Sequence, residues 1–228
     1  MLLNGITIQG SYHEKNQDSF KCEKIKNIYV IAVSDGLGSK KTSEVGSKLL
    51  CESACDVVAE NIDIMESTTA IDFARMVQEK WINNMNQYLI SDCYATMLLL
   101  LVMPKKILAV RLGDGFISLW IDNRIKVLVD QKEDCFVNET DCLTEIFDET
   151  KIEAEDITYE TFHGGILCSD GVGIGNMTRD EISDFTKDYI EEYCHYQETE
   201  IVKEVEGWLK DWTGVDDKTL AFILSEKV

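Results

Sequence analysis

Two stretches of the chain, MLLLLVM over residues 97 to 103 and LAFIL over 220 to 224, are apolar at every position. Successive side chains of a β-strand point to opposite faces, so a strand with no polar position needs both faces buried. A seven-residue run is far too short to span a bilayer as a helix, which takes about 20 residues. The constraint is therefore a sheet covered on one face by a second sheet and on the other by helices.

The rest of the chain meets that demand. Apolar, β-branched segments near 5–9, 19–25, 28–34, 94–103, 107–112, 116–121, 124–129, 157–162, 165–169 and 219–225 read as strands. Short turns join most of them, and Pro104 sits where a hairpin turns, so the sheets should be mainly antiparallel. Helical spacing comes in pairs. Thr42 or Ser43 opens a stripe of Leu50, Ala54, Val57 and Val58, and Thr69 opens one of Phe73, Val77, Trp81, Met85 and Leu89. A later pair carries Ile182, Phe185, Tyr189 and Tyr193, then Ile201, Val205, Trp208 and Trp212. Strands grouped between helix pairs, without strict alternation, predict an α+β fold: a four-layer α-β-β-α sandwich of two mainly antiparallel sheets flanked by helix pairs. No linker or repeat divides the chain, so residues 1–228 are expected to form a single domain. The acidic segment 130–162 shows no clean period and is read as an irregular insertion over the sheet edge. DETKIEAED within it lacks the central glycine and alternating oxygens of an EF-hand loop.

With 42 acidic against 22 basic residues the formal charge is −20, which repels nucleic acid and anionic membrane surfaces. Cations or locally basic proteins are the partners such a surface attracts. Eight irregularly spaced cysteines, in a chain that opens MLLNGITIQG without a basic and then long apolar leader, point to free thiols and a cytoplasmic setting. Cys51 and Cys55 are four apart, but no second pair at zinc-ligand spacing accompanies them.

Three apolar segments end in Asp-Gly: VIAVSDG at Asp35-Gly36, AVRLGDG at Asp114-Gly115 and GILCSDG at Asp170-Gly171. Asp-Gly is a common turn dipeptide, and three unrelated turns would explain the pattern. The alternative is convergence at one edge of the sandwich, joined by Asp18 in NQDSF and by Asp216-Asp217 in VDDKTL. Carboxylates so crowded need cations, and oxygen-only ligation selects hard ions, Mg²⁺ or Mn²⁺.

Read in order, YHEKNQDSF, VSDGLGS, YATMLLLLV, RLGDG, LCSDGVG and DDKTL resemble the signature of the metal-dependent type 2C protein phosphatases over nearly the whole chain. The resemblance implies the same sandwich and hydrolysis of phosphoserine or phosphothreonine by a metal-activated water. It implies that Asp35 bridges two Mn²⁺ or Mg²⁺ ions, that the Gly36 carbonyl binds one of them, and that Asp170 and Asp216 complete a shell. Asp18 would hold metal-bound water, and Asp114 with Asp170 would match the third-ion site of bacterial members. Asp216 is preferred to Asp217 because the family writes Asp-Asn-x-Thr, which puts Asp217 at the Asn and Thr219 at the Thr. The segment 130–162 falls where bacterial members carry a flap. A phosphorylated protein would be the substrate, with a kinase as the opposing enzyme.

Two positions depart from the family. The phosphate-gripping arginine five residues before the first aspartate is His13 here, as in a bacterial subset that opens Gly-Ser-x-His. Arg holds phosphate at any pH, His only when protonated, so His13 either contacts phosphate, with Lys15 beside it, or protonates the leaving group, or is structural. Leu37 stands where eukaryotic members carry a His. Two other readings compete with the phosphatase: a binding module of weak or no activity, and a hydrolase of small phosphate esters on the same site.

Overall fold

The computed structural model describes residues 1–129, 140–173 and 177–226. Among these described residues ten strands form two five-stranded sheets. The first has the order β1 (Leu2–Ile8), β10 (Lys218–Leu224), β9 (Phe162–Cys168), β6 (Phe116–Ile121), β7 (Arg124–Val129). The second has the order β2 (Asp18–Ile25), β3 (Ile28–Asp35), β4 (Met97–Met103), β5 (Lys106–Leu112), β8 (Glu153–Thr158). All neighbours are antiparallel. Helices α1 (Ser43–Glu60) and α2 (Ala70–Asn84) cover the second sheet, and α4 (Arg179–Tyr193) and α5 (Glu198–Asp211) cover the first; α3 (Asp170–Gly173) is a single turn.

The two apolar runs behave as their composition demands. In β4, Met97, Leu99, Leu101 and Met103 pack toward α1 and α2 with Leu50, Phe73 and Trp81. Leu98, Leu100 and Val102 face the other sheet and meet Ile117, Leu119 and Leu167. In β10, Leu220, Phe222 and Leu224 pack with Tyr189, Ile201 and Val205, while Ala221 and Ile223 lie between the sheets. Each such fully buried side chain contributes about 1.5–3 kcal/mol, so this doubly covered core is what holds the strand ends in place. The β4–β5 hairpin turns at Pro104 and Lys105, Lys105 taking the left-handed φ of 66° that a tight two-residue connection needs.

Thr69 caps α2 by accepting from the Asp72 N–H, and Thr178 opens α4 in a reciprocal capping box with Glu181. Trp81 Nε1 donates to the Gly46 carbonyl at 3.0 Å and ties α2 to α1.

Two expectations need correction. Leu89 is not on the α2 stripe: the helix ends at Asn84, Asn86 turns the chain with φ 40°, and Leu89 is exposed. The segment 130–162 is not irregular throughout. Residues 130–139 lie outside the described residues, but Glu153–Thr158 forms β8, the edge strand paired with β5. Two of its three inter-sheet positions are charged, Glu153 bound to Arg111 and Glu155 to Lys126, with only Ile157 apolar. An apolar count therefore places the strand at 157–162, which instead holds the end of β8, the turn and the first residue of β9.

Candidate metal centre

Five aspartates meet at one edge of the sandwich because the strand ends there do. Asp18 begins β2 and Asp35 ends β3, and the two are direct Cα partners. Thr96, just before β4, bonds Asp35 in both directions: the Asp35 N–H donates to Thr96 Oγ1 at 2.9 Å and the Thr96 N–H to the Asp35 carbonyl at 2.8 Å. Asp114 follows β5, and Asp170 starts α3 directly after β9. Asp216 precedes β10, whose Leu220 pairs with Cys168 at the end of β9.

The three Asp-Gly pairs do not share one reason for their glycine. Gly115 has φ +93°, the left-handed backbone of a turn. At Gly36 a Cβ would lie 2.6 Å from the Ser43 carbonyl oxygen, and at Gly171 one would lie 1.9 Å from that of Asp217. Close approach of distant backbone requires those two glycines. The Gly171 contact brings the 216–217 loop against Asp170.

A hydrogen-bond chain fixes Asp18. The Thr219 N–H donates to Ser169 Oγ at 2.9 Å, and Ser169 Oγ donates to Asp18 Oδ2 at 2.7 Å. The Asp18 N–H donates to Asn16 Oδ1, and Asn16 Nδ2 and Thr219 Oγ1 both donate to Thr7 Oγ1. Asp18 Oδ1 is buried and has no hydrogen-bond partner among the described residues. An orphaned carboxylate oxygen costs free energy unless a cation meets it.

The electrostatics agree. Burial pushes the Asp18 carboxyl up to about 6. Burial, then the charges of Asp216, Asp18 and Asp114, pushes Asp170 up to about 7. Asp35 is raised well above the usual carboxylate range, first by burial and then by Asp18, Asp170 and Asp216. The structure thus brings together Asp18, Asp35, Asp114, Asp170 and Asp216, with the Gly36 backbone beside them. An all-oxygen donor set of this charge, with an unsatisfied buried oxygen, fits hard divalent ions.

His13 Nδ1 lies 3.4 Å from Asp216 Oδ1 and 3.3 Å from Asp217 Oδ2. Among the described residues this trio is the tightest set of potential metal ligands, yet Asp217 is otherwise engaged. Asp217 Oδ1 accepts from the Gly10 N–H at 2.8 Å and Oδ2 from the Gln17 N–H at 2.7 Å, stapling the β1–β2 loop to the start of β10. Asp216 is the member of the pair turned outward, its side chain 47% exposed. Lys15 points elsewhere and pairs with Glu44 on α1 at 2.8 Å. Sequence reasoning named the carboxylates but missed the hydroxyls of Ser169 and Thr140, which donate to Asp18 and Asp114, and that of Thr96, which holds the Asp35 backbone. Ser169, buried and polar at the end of an apolar strand, was the one detectable signal.

The profile of the Protein phosphatase 2C family matches residues 10–212 of the chain. No curated protein matches it. Among solved structures, the catalytic domain of the serine threonine protein phosphatase PstP in complex with two manganese ions is similar at 17% identity and a TM-score of 0.66, covering 97% of each chain. Serine/threonine phosphatase Stp1 from Staphylococcus aureus is similar at 14% identity and a TM-score of 0.70, covering all of this chain and 96% of its own. A bacterial serine phosphatase is similar at 15% identity and a TM-score of 0.66, covering 99% of each.

Proposed function

Because the chain belongs to the Protein phosphatase 2C family, we propose that it is an Mn²⁺- or Mg²⁺-dependent phosphatase acting on phosphoserine and phosphothreonine in proteins. The observation that carries this reading is the convergence of Asp18, Asp35, Asp114, Asp170 and Asp216, with the Asp18, Asp35 and Asp170 carboxyls pushed upward by burial and the last two also by neighbouring aspartates. Asp35, the Gly36 carbonyl, Asp170 and Asp216 would hold two ions, Asp18 would orient water beside them, and Asp114 with Asp170 would take a third. Bound there, such ions supply Lewis acidity that activates water near neutral pH and offsets phosphoryl charge.

The chain's own groups do the rest. Asp216 and Asp217 engage His13 at Nδ1, which leaves Nε2 as the working atom, at the side of Gly38. A protonated His13 can donate from Nε2 to a phosphoryl oxygen or to the departing serine or threonine oxygen. The Asp217 staple holds the loop that carries His13. A surface charge of −20 favours substrates with basic residues around the phosphorylated position, placed there by a kinase.

The test is phosphate release from a phosphothreonine peptide with Mn²⁺, which EDTA and Asp35→Asn should each abolish. A folded protein that binds Mn²⁺ without turnover would favour a binding module. Turnover of p-nitrophenyl phosphate alone would favour a small-ester hydrolase.

A further inference from the structure

Asp114 stands on a turn with little backbone restraint of its own, since the glycines on both sides have left-handed φ, +90° at Gly113 and +93° at Gly115. What fixes its carboxylate comes from elsewhere in the chain. Thr140 Oγ1 donates to Asp114 Oδ2 at 2.5 Å. Thr140 begins a segment pinned on several sides. A Cβ at Gly113 would lie 2.4 Å from the Asp141 carbonyl oxygen, so the two backbones are in close contact. Lys151 pairs with Asp141 at 2.8 Å, the Leu143 N–H donates to the Ala95 carbonyl at 2.8 Å, and Gln78 Nε2 donates to the Thr144 carbonyl at 2.7 Å. Ala95 in turn bridges to Gly36 on its other side. Residues 140–144 are therefore stitched through Ala95 to the Gly36 loop and through Thr140 to Asp114.

We propose that Thr140 is a positioning residue that aims the Asp114 carboxylate for ion binding, coupling that outer ion to the pinned segment 140–144. The proposal rests on the metal-centre reading above. The threonine proton engages Oδ2 and leaves Oδ1 to face an ion. A hydroxyl in this position orders a ligand that an unrestrained aspartate would have to order on binding. No motif of the chain marks Thr140 for such a role, and its bond to Asp114 Oδ2 has it act through that carboxylate.

Equilibrium Mn²⁺ binding to the full chain tests it, read by titration calorimetry and by the electron paramagnetic resonance of free Mn²⁺. Asp114→Asn should lose the weakest class of ion. Thr140→Val should keep the ion count but weaken that class by about tenfold, the usual scale for a group that supports a metal ligand. Thr140→Ser, which keeps the hydroxyl, should stay within about twofold of wild type. Thermal midpoints in EDTA should be the same for all three Thr140 forms. Wild-type or tighter affinity in Thr140→Val, while Asp114→Asn loses an ion, would overturn the proposal alone. An unchanged ion count in Asp114→Asn would overturn the outer-ion reading with it. Lowered EDTA midpoints in both Thr140 variants, tracking their affinities, would make the role structural and would also overturn it.

Discussion

Asp18 and Asp35 face each other as Cα partners across β2 and β3, two carboxylates held side by side at the end of a paired ladder. Backbone pairing fixes them there, so they escape repulsion by taking up protons or by meeting cations. Burial raises Asp18 to about 6 and Asp170 to about 7, against an ordinary 3.8 for each. Groups raised in the folded state bind more protons folded than unfolded, so the contribution of these two to metal-free stability is fully present below the ordinary value and is lost as pH rises through about 7. The thermal midpoint in EDTA should fall between pH 5 and pH 8, and Mn²⁺ should restore more of it at pH 8 than at pH 5. A midpoint in EDTA that climbs over this range would count against the crowded site.

Removing one charge from the cluster should separate stability from ion binding. Asp170→Asn relieves Asp35 of a neighbouring charge and removes a buried carboxyl that burial itself disfavours. In EDTA at pH 8 this variant should be more stable than wild type by ~1 kcal/mol or more, a rise of about 2–4 °C per kcal/mol for a chain of this size. Its Mn²⁺ affinity and phosphate release should both collapse. Differential scanning fluorimetry with and without Mn²⁺ reads both effects.

Ser169→Ala should do the opposite. It leaves Asp18 Oδ2 without the Ser169 donor and the Thr219 N–H without its acceptor, both in buried surroundings. The expected cost is about 2–3 kcal/mol in urea unfolding, with unchanged m-value.

The layers of the fold were legible because unbroken apolar runs admit few architectures, and all the strands but β8 lie at or near the segments their composition marks. The least legible was β8, where Glu153 and Glu155 occupy positions an apolar count expects to be hydrophobic and are matched by Arg111 and Lys126 from other strands. Leu89 misled because four-residue spacing continues past the point where the helix stops. The aspartates announced themselves by their strand-end glycines, yet the reason for Gly36 and Gly171 is contact with Ser43 and Asp217, which local sequence does not reveal. Single hydroxyls such as Thr96, Thr140 and Ser169 carry no period at all, so only the three-dimensional hydrogen bonds expose them.

His13 and Lys15 are two residues apart and should behave differently. His13 sits against Asp216 and Asp217, whereas the exposed Lys15 ammonium is held by Glu44. His13→Ala should lower kcat/KM for a phosphopeptide by roughly 10²-fold, the scale of a lost proton donor, and flatten the alkaline side of its pH profile. Lys15→Ala should change it by less than about twofold, as expected for an exposed ion pair. Equal losses in the two variants would remove the special role from His13.

The most direct measurement is the number of Mn²⁺ ions bound by the metal-stripped protein at pH 7.5, by equilibrium dialysis, in wild type and in Asp35→Asn. Wild type should bind at least two, and Asp35→Asn, which removes the carboxylate proposed to lie between them, should lose tight binding of both while keeping the fold. Failure of the folded wild type to take up Mn²⁺, or full uptake by Asp35→Asn, would contradict a metal centre at this edge of the sandwich.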